Sequence, residues 1–80
     1  MFVGTATING VLAPQGTVVI ALVDGVEVGR SFVGSEGKFE ALYVGNPGRT
    51  VTFQIGNSMA RESFTIEVGE ADIVTLTATQ

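Results

Sequence analysis

The stretch whose reading decides the fold is Val18–Val33, VVIALVDGVEVGRSFV. Two apolar, β-branched runs flank Asp24-Gly25. A two-residue turn that matches the twist of paired strands needs positive φ at both central residues, and Asp followed by Gly tolerates that geometry. The stretch therefore predicts a hairpin of strands Thr17–Val23 and Val26–Val33. In the first strand, period-2 alternation puts Val19, Ala21 and Val23 on the core face and Val18, Ile20 and Leu22 on the other. In the second, strict alternation from Val28 would aim Arg30 into the core, so a bulge is expected at Gly29. Phe32 is then expected beside Leu22 on the outer face.

Working outward, the same grammar of short strand and Gly-rich turn recurs. Upstream, Phe2–Ile8 alternates, with Phe2, Gly4, Ala6 and Ile8 on one side, and ends at Asn9-Gly10. Gly4 inside it signals a bulge or a close backbone approach. Val11-Leu12 leads into the turn Ala13-Pro14-Gln15-Gly16. Downstream, Gly34-Ser35-Glu36-Gly37 precedes a strand at Lys38–Val44, with Phe39, Ala41 and Tyr43 inward. A breaker-rich loop, Gly45–Arg49, follows. Thr50–Ile55 is the cleanest alternation, with Val51, Phe53 and Ile55 inward. Gly56-Asn57 turns the chain into Ser58–Glu67, where Phe64 and Ile66 are expected buried and Arg61 and Thr65 wet. Gly69–Asp72 is the last turn, and Ile73–Thr79 closes with Val74, Leu76 and Ala78 inward. No segment sustains a helical period, and turn signals recur about every 8–12 residues, as in sandwiches and barrels. The expectation is an all-β single domain over residues 1–80, a seven-stranded antiparallel Greek-key β-sandwich.

Composition narrows the function classes. Among the 80 residues there is no Cys and no His, which removes disulfides, thiolate metal sites, Cys nucleophiles and imidazole acid–base chemistry. The formal charge is −4 and the pI near 4.4. The four basic residues, Arg30, Lys38, Arg49 and Arg61, are scattered, so a nucleic-acid partner is not expected, because phosphate neutralisation needs clustered cations. No apolar run approaches the roughly 20 residues of a spanning helix, and membrane insertion is not expected. Met1-Phe2-Val3-Gly4 lacks a basic start and a cleavage site, and Met1 reads either as an initiator placed on an excised domain or as a natural start. A mean hydropathy of +0.42 with only 15% charged residues means that apolar surface must be covered, internally or by a partner.

The segments Gly4-Thr5-Ala6-Thr7-Ile8-Asn9-Gly10, Ala13-Pro14-Gln15-Gly16-Thr17, Val23-Asp24-Gly25, Gly37-Lys38-Phe39, Val51-Thr52-Phe53 and Leu76-Thr77-Ala78 together resemble a carboxypeptidase regulatory-like domain. That family has the prealbumin (transthyretin-like, Ig-like) sandwich and lies near the Cna-B-type surface repeats. The resemblance covers essentially the whole chain and rests on turn glycines and core positions. It implies a non-catalytic accessory or spacer module of a larger microbial surface or secreted protein, and hence an extracellular or cell-surface location. It does not imply peptidase activity, which in such proteins belongs to a separate domain. Cna-B-like domains often crosslink a Lys on the first strand to an Asn or Asp on the last. Here the only Lys, Lys38, begins the fourth strand, and Ile73–Thr79 contains neither Asn nor Asp, so no isopeptide bond is expected.

The acidic and hydroxyl residues form no catalytic or metal-binding pattern. Glu67, Glu70 and Asp72 around the final turn could offer oxygens to Ca²⁺, but no calcium-loop spacing accompanies them, and solvated turn acids are the expectation. Glu40 and Glu62 as a carboxylate pair read instead as solvent-facing or edge positions on their strands. Ser31, Ser35, Ser58 and Ser63 have no activating base. No catalytic residue, cofactor or metal is therefore expected. The feature that stands out is the outer stripe Val18, Ile20, Leu22 and Phe32, a candidate interface, because contiguous exposed apolar patches mark interaction surfaces. It could instead be covered by Val11-Leu12, or its faces exchanged by a one-residue register slip. Three functions follow: a structural or interaction module contacting neighbouring domains of its parent, a self-assembly module forming homo-oligomers through the stripe, and a small carbohydrate-binding domain stacking on Phe32.

Overall fold

In the structure, a computed structural model that describes residues 1–42, 45, 47–67 and 72–79, Asp24 and Gly25 have φ of 52° and 78°. They close the hairpin at the pair Val23–Val26, the two positive-φ residues that the turn requires. Asn9-Gly10 repeats this geometry between Ile8 and Val11. The strands are β1 Phe2–Ile8, β2 Val11–Leu12, β3 Val18–Val23, β4 Val26–Phe32, β5 Lys38–Leu42, β6 Thr50–Ile55, β7 Ser58–Thr65 and β8 Asp72–Ala78. Seven of them are full strands, and β2 is a two-residue extension of the first hairpin. The turn at Ser35–Gly37 closes as one turn of 3₁₀ helix. Tyr43, Val44 and residues 69–71 of the expected last turn lie outside the described residues, as does the side chain of Ala41.

The strands hydrogen-bond in the order β2-β1-β8-β7-β6-β3-β4, with β5 also on β1. Between β7 and β8 the ladder is reduced to the pair Ala60–Ala78. There the sheet folds over, and one half packs on the other as in a sandwich. The curl returns β4 to β5, where Val33 pairs with Phe39 and the Gly34 N–H donates to the Lys38 carbonyl at 2.6 Å. The expectation of a purely antiparallel fold is corrected by β1 and β8, which run parallel over seven residue pairs from Phe2–Asp72 to Ile8–Ala78. The sheet is mixed.

Bulges tune the alternation. On β4 the register slips by one residue between Ala21–Gly29 and Leu22–Glu27, so Val28 is the inserted residue and Arg30 points to solvent, as the sequence required. Counting from the turn through that one insertion brings Phe32 opposite Val18, which corrects its expected place beside Leu22. A second slip, between the pairs Phe2–Leu42 and Gly4–Phe39, turns β5. Leu42, an outward position in strict alternation, is fully buried along with Phe39.

The core is wholly apolar among the described residues. Val19 and Ala21 from β3, Val51, Phe53 and Ile55 from β6, and Leu76 from β8 have no exposed surface. The buried Phe2 and Phe53 rings and the Phe64 ring, which is only half-buried where burial was expected, form a trio with centroid separations of 5.3, 5.9 and 6.0 Å and the tilted and edge-to-face geometry that ring quadrupoles favour.

Candidate functional site

The outer face of the β4-β3-β6-β7 half carries the candidate interface. Because cross-strand partners share a face, three rows can be read across it. Phe32 lies beside Val18, Arg30 beside Ile20, Gln54 and Met59, and Glu27 beside Leu22, Thr52 and Ser63. Val18, Ile20 and Leu22 are each half-buried, while Phe32 is 59% and Met59 51% exposed. The register of β3 is as expected, since Val19, Ala21 and Val23 are the buried set. Val11-Leu12 is not the cover, for β2 pairs with β1 in the other half. The stripe is instead narrowed by its own cross-strand neighbours. Arg30 and Glu27 close over the β4 side in a two-pronged ion pair, Nε to Oε2 at 2.9 Å and Nη2 to Oε1 at 2.7 Å. The Arg30 guanidinium holds the Glu27 carboxyl below its usual range.

The Phe32 end of the stripe opens on a cleft of about 330 Å³ that is also lined by Ser31, Ser35, Lys38 and Glu40. An exposed ring thus stands beside hydroxyl, ammonium and carboxylate groups. The Ser31 hydroxyl is committed to the Glu40 carbonyl at 2.7 Å, and Lys38 Nζ lies 3.4 Å from the Glu36 carboxylate.

The carboxylates read from the sequence are not brought together. Glu40 stands on β5 and Glu62 on β7, strands that are not neighbours. Glu62, expected at a solvent-facing or edge position, stands where the β7–β8 ladder ends. It is half-buried and accepts from the Thr77 N–H at 2.8 Å and the Thr77 hydroxyl at 2.6 Å. Burial pushes the Glu62 carboxyl up, but the two Thr77 donors, its own backbone and the Arg61 charge outweigh this and hold it below its ordinary value. It therefore replaces ladder bonds where β7 parts from β8. A carboxyl whose folded pKa lies below its unfolded value stabilises the fold fully above the unfolded value, near 4.3, and the contribution vanishes as pH falls through the folded value. Glu62→Ala is expected to cost about 1–2 kcal/mol at neutral pH, discounted for partial exposure. The gap from wild type should begin to narrow as pH falls below the unfolded value, about 4.3, in urea melts at stepped pH.

Of the turn acids, Glu67 and Asp72 line a second cleft beside Ile73, and Glu70 lies outside the described residues. No group of three or more metal-ligating side chains gathers among the described residues. The structure starts the last strand at Asp72, one residue earlier than the sequence suggested. Lys38 nonetheless pairs with Thr5 of β1, which leaves β1 between β5 and β8. Sequence reasoning missed the Glu62–Thr77 bond and the Phe32 cleft. Neither has a local signal, because both join residues from different strands.

No family model matches the sequence, and no curated protein matches it. Among solved structures, the crystal structure of the C-terminal domain of the PapC usher superposes with a TM-score of 0.57, covering 99% of this chain and 98% of that chain at 22% identity. At that identity the likeness carries the fold alone, and it makes this chain similar in architecture to a small β-sandwich-like domain.

Proposed function

We propose that this chain is a non-catalytic structural or interaction domain of a larger protein, most simply a microbial surface or secreted one. The observation that carries the reading is the combination of a wholly apolar core with an apolar stripe left on one outer face. Its likeness in fold to a domain that belongs to a larger protein, the C-terminal domain of the PapC usher, supports it. So does the sequence resemblance to carboxypeptidase regulatory-like domains of transthyretin-like, Greek-key topology. In this reading Val18, Ile20, Leu22 and Phe32 meet a neighbouring domain or a second copy.

Light scattering over a concentration series, on the native chain and on Leu22→Lys, tests it. Leu22 is half-buried on an outer face, so the lysine stem can lie along the sheet with its charge in water. The expected result is an oligomer that the substitution dissociates without unfolding. A native monomer at every concentration leaves the stripe to a neighbouring domain. Unfolding of the variant would make Leu22 a core residue and remove the stripe from the reading.

The Phe32 cleft favours a second reading, a small carbohydrate-binding domain in which a sugar ring stacks on Phe32 within reach of Lys38 and Glu40. Glycan-array binding that Phe32→Ala abolishes is the expected outcome. No binding to any glycan ends that reading.

A further inference from the structure

Edge strands present unpaired main-chain groups, and folded proteins normally blunt them with charge, Pro, bulges or brevity. Two edges of this sheet follow the rule. β2 is two residues long, and β4 carries the Val28 bulge, the Glu27–Arg30 ion pair and the bridge to β5. The β7-facing side of β8 does not follow it. Main-chain groups alternate sides along a strand, and four bonds fix the phase on β8. The Asp72 N–H donates to the Met1 carbonyl, and the Ala78 carbonyl accepts from the Asn9 N–H, both on the β1 side. The Leu76 carbonyl accepts from the Thr7 hydroxyl of β1, while the Thr77 N–H is taken by Glu62 of β7. Ile73 and Thr75 therefore turn their N–H and C=O groups away from β1 and toward β7, where the ladder holds only Ala60–Ala78.

The opposite wall also lacks a ladder partner among the described residues. Ile66 exchanges bonds with Gly48 and Arg49 on its other side, which turns its neighbour Thr65 toward β8. Between the two walls lies a cleft of about 280 Å³ lined by Phe64, Thr65, Glu67, Asp72, Ile73 and Val74. Phe64 belongs to the ring trio of the core, and Ile73 at 86% exposure is an apolar side chain where an edge would ordinarily carry a charge. Among the described residues, the charged side chains lining the cleft are two carboxylates.

We propose that the Asp72–Thr75 edge of β8 accepts an extended peptide segment of another protein as an added strand, one in which apolar residues alternate with Lys or Arg. Main-chain bonds to Ile73 and Thr75 supply affinity, an apolar side chain enters the cleft over Phe64 and Val74, and a cation answers Asp72. A second copy of this chain is the weaker fit, because a β8–β8 pairing would bring the same carboxylates together in a chain of net charge −4. The proposal rests on the reading of the chain as an interaction module but uses a different surface from the stripe.

The test is selection of a phage-displayed random dodecapeptide library on the intact chain. The enriched peptides are then synthesised, and their Kd values and amide exchange protection are measured. Alternating apolar and basic peptides that slow exchange at Ile73 and Thr75 are expected. Ile73→Lys should weaken them by about tenfold or more, by adding the charge that blunts an edge. Thr75→Pro should do the same, since its N–H turns away from β1 and the β1 ladder does not use it. Gln15→Lys, which adds the same charge in the exposed turn before β3, should leave their binding unchanged. Failure to enrich basic peptides, protection on β3 instead, indifference to Ile73→Lys, or self-association through β8 would each overturn the proposal. Leu22-dependent oligomers with no peptide binding would overturn it while leaving the interaction reading standing.

Discussion

Gly4→Ala is expected to unfold the domain or lower its stability by at least about 3 kcal/mol, a fall in Tm upward of about 12 °C for a chain of this size. Gly4 faces Val74 in the parallel pairing of β1 with β8. A Cβ there would overlap the Val74 carbonyl oxygen and lie 2.8 Å from its carbon. Overpacking in a core is ordinarily relieved when a neighbouring side chain changes rotamer. Here the obstacle is main chain, held in the ladder with β1, and relief requires β1 and β8 to separate. Gly10→Ala is the control. Gly10 has a φ of +79° with nothing near its Cβ direction, so its cost is the conformational one, about 1 kcal/mol. Thermal melts of the two variants separate steric overlap from backbone strain. Equal losses would mean that the close approach at Gly4 is not what holds β1 against β8.

Phe53→Ala is expected to cost about 3–5 kcal/mol, most of the stability of a domain this small, since roughly 0.05–0.15 kcal/mol per residue is usual. Phe53 has no exposed surface and sits 5.3 Å from the Phe2 ring and 5.9 Å from the Phe64 ring. Truncation removes the shared member of both contacts and leaves a cavity that β6, paired on both sides, cannot collapse to fill. Phe64→Ala, at a half-buried position open to the β7–β8 cleft, should cost less, about 1–2 kcal/mol. Urea melts with unchanged m values and an ordered fall in midpoint would show this. A Phe64→Ala loss as large as that of Phe53→Ala would mean that the cleft-side ring is as tightly enclosed as the central one.

Much of this fold is written locally. Asp24-Gly25 demands a tight hairpin, Arg30 after Gly29 demands a bulge, and Thr50–Ile55 declares its faces by alternation alone. In each case the deciding interaction spans a few residues. What escaped the sequence is non-local. An alternating strand looks the same whether its partner runs parallel or antiparallel, so the direction of β8 against β1 has no signature in either segment. The burial of Leu42 depends on a register slip against β1, which the composition of β5 does not encode. The outer stripe was legible because β3 alternates without interruption, although Phe32 required counting register through the β4 insertion. Glu62 was not legible. Its environment arises only because β7 leaves β8 after one pair, and a carboxylate then stands in for main-chain bonds.

The parallel run of β1 beside β8 has a mechanical consequence. The strands are in step from Phe2–Asp72 to Ile8–Ala78, so the main chain joins this pair at one pole of the molecule and departs at the other, about 20 Å away at the usual rise per residue. Tension applied through Phe2 and Ala78 in opposite directions slides one strand along the other. All seven residue pairs bear the load together, whereas a hairpin pulled from its open end would unzip rung by rung. Resistance to such a pull is governed by the rate of unfolding rather than by equilibrium stability. For a pull in that direction the β1–β8 pair is a shear clamp, loaded along its whole length rather than at one end.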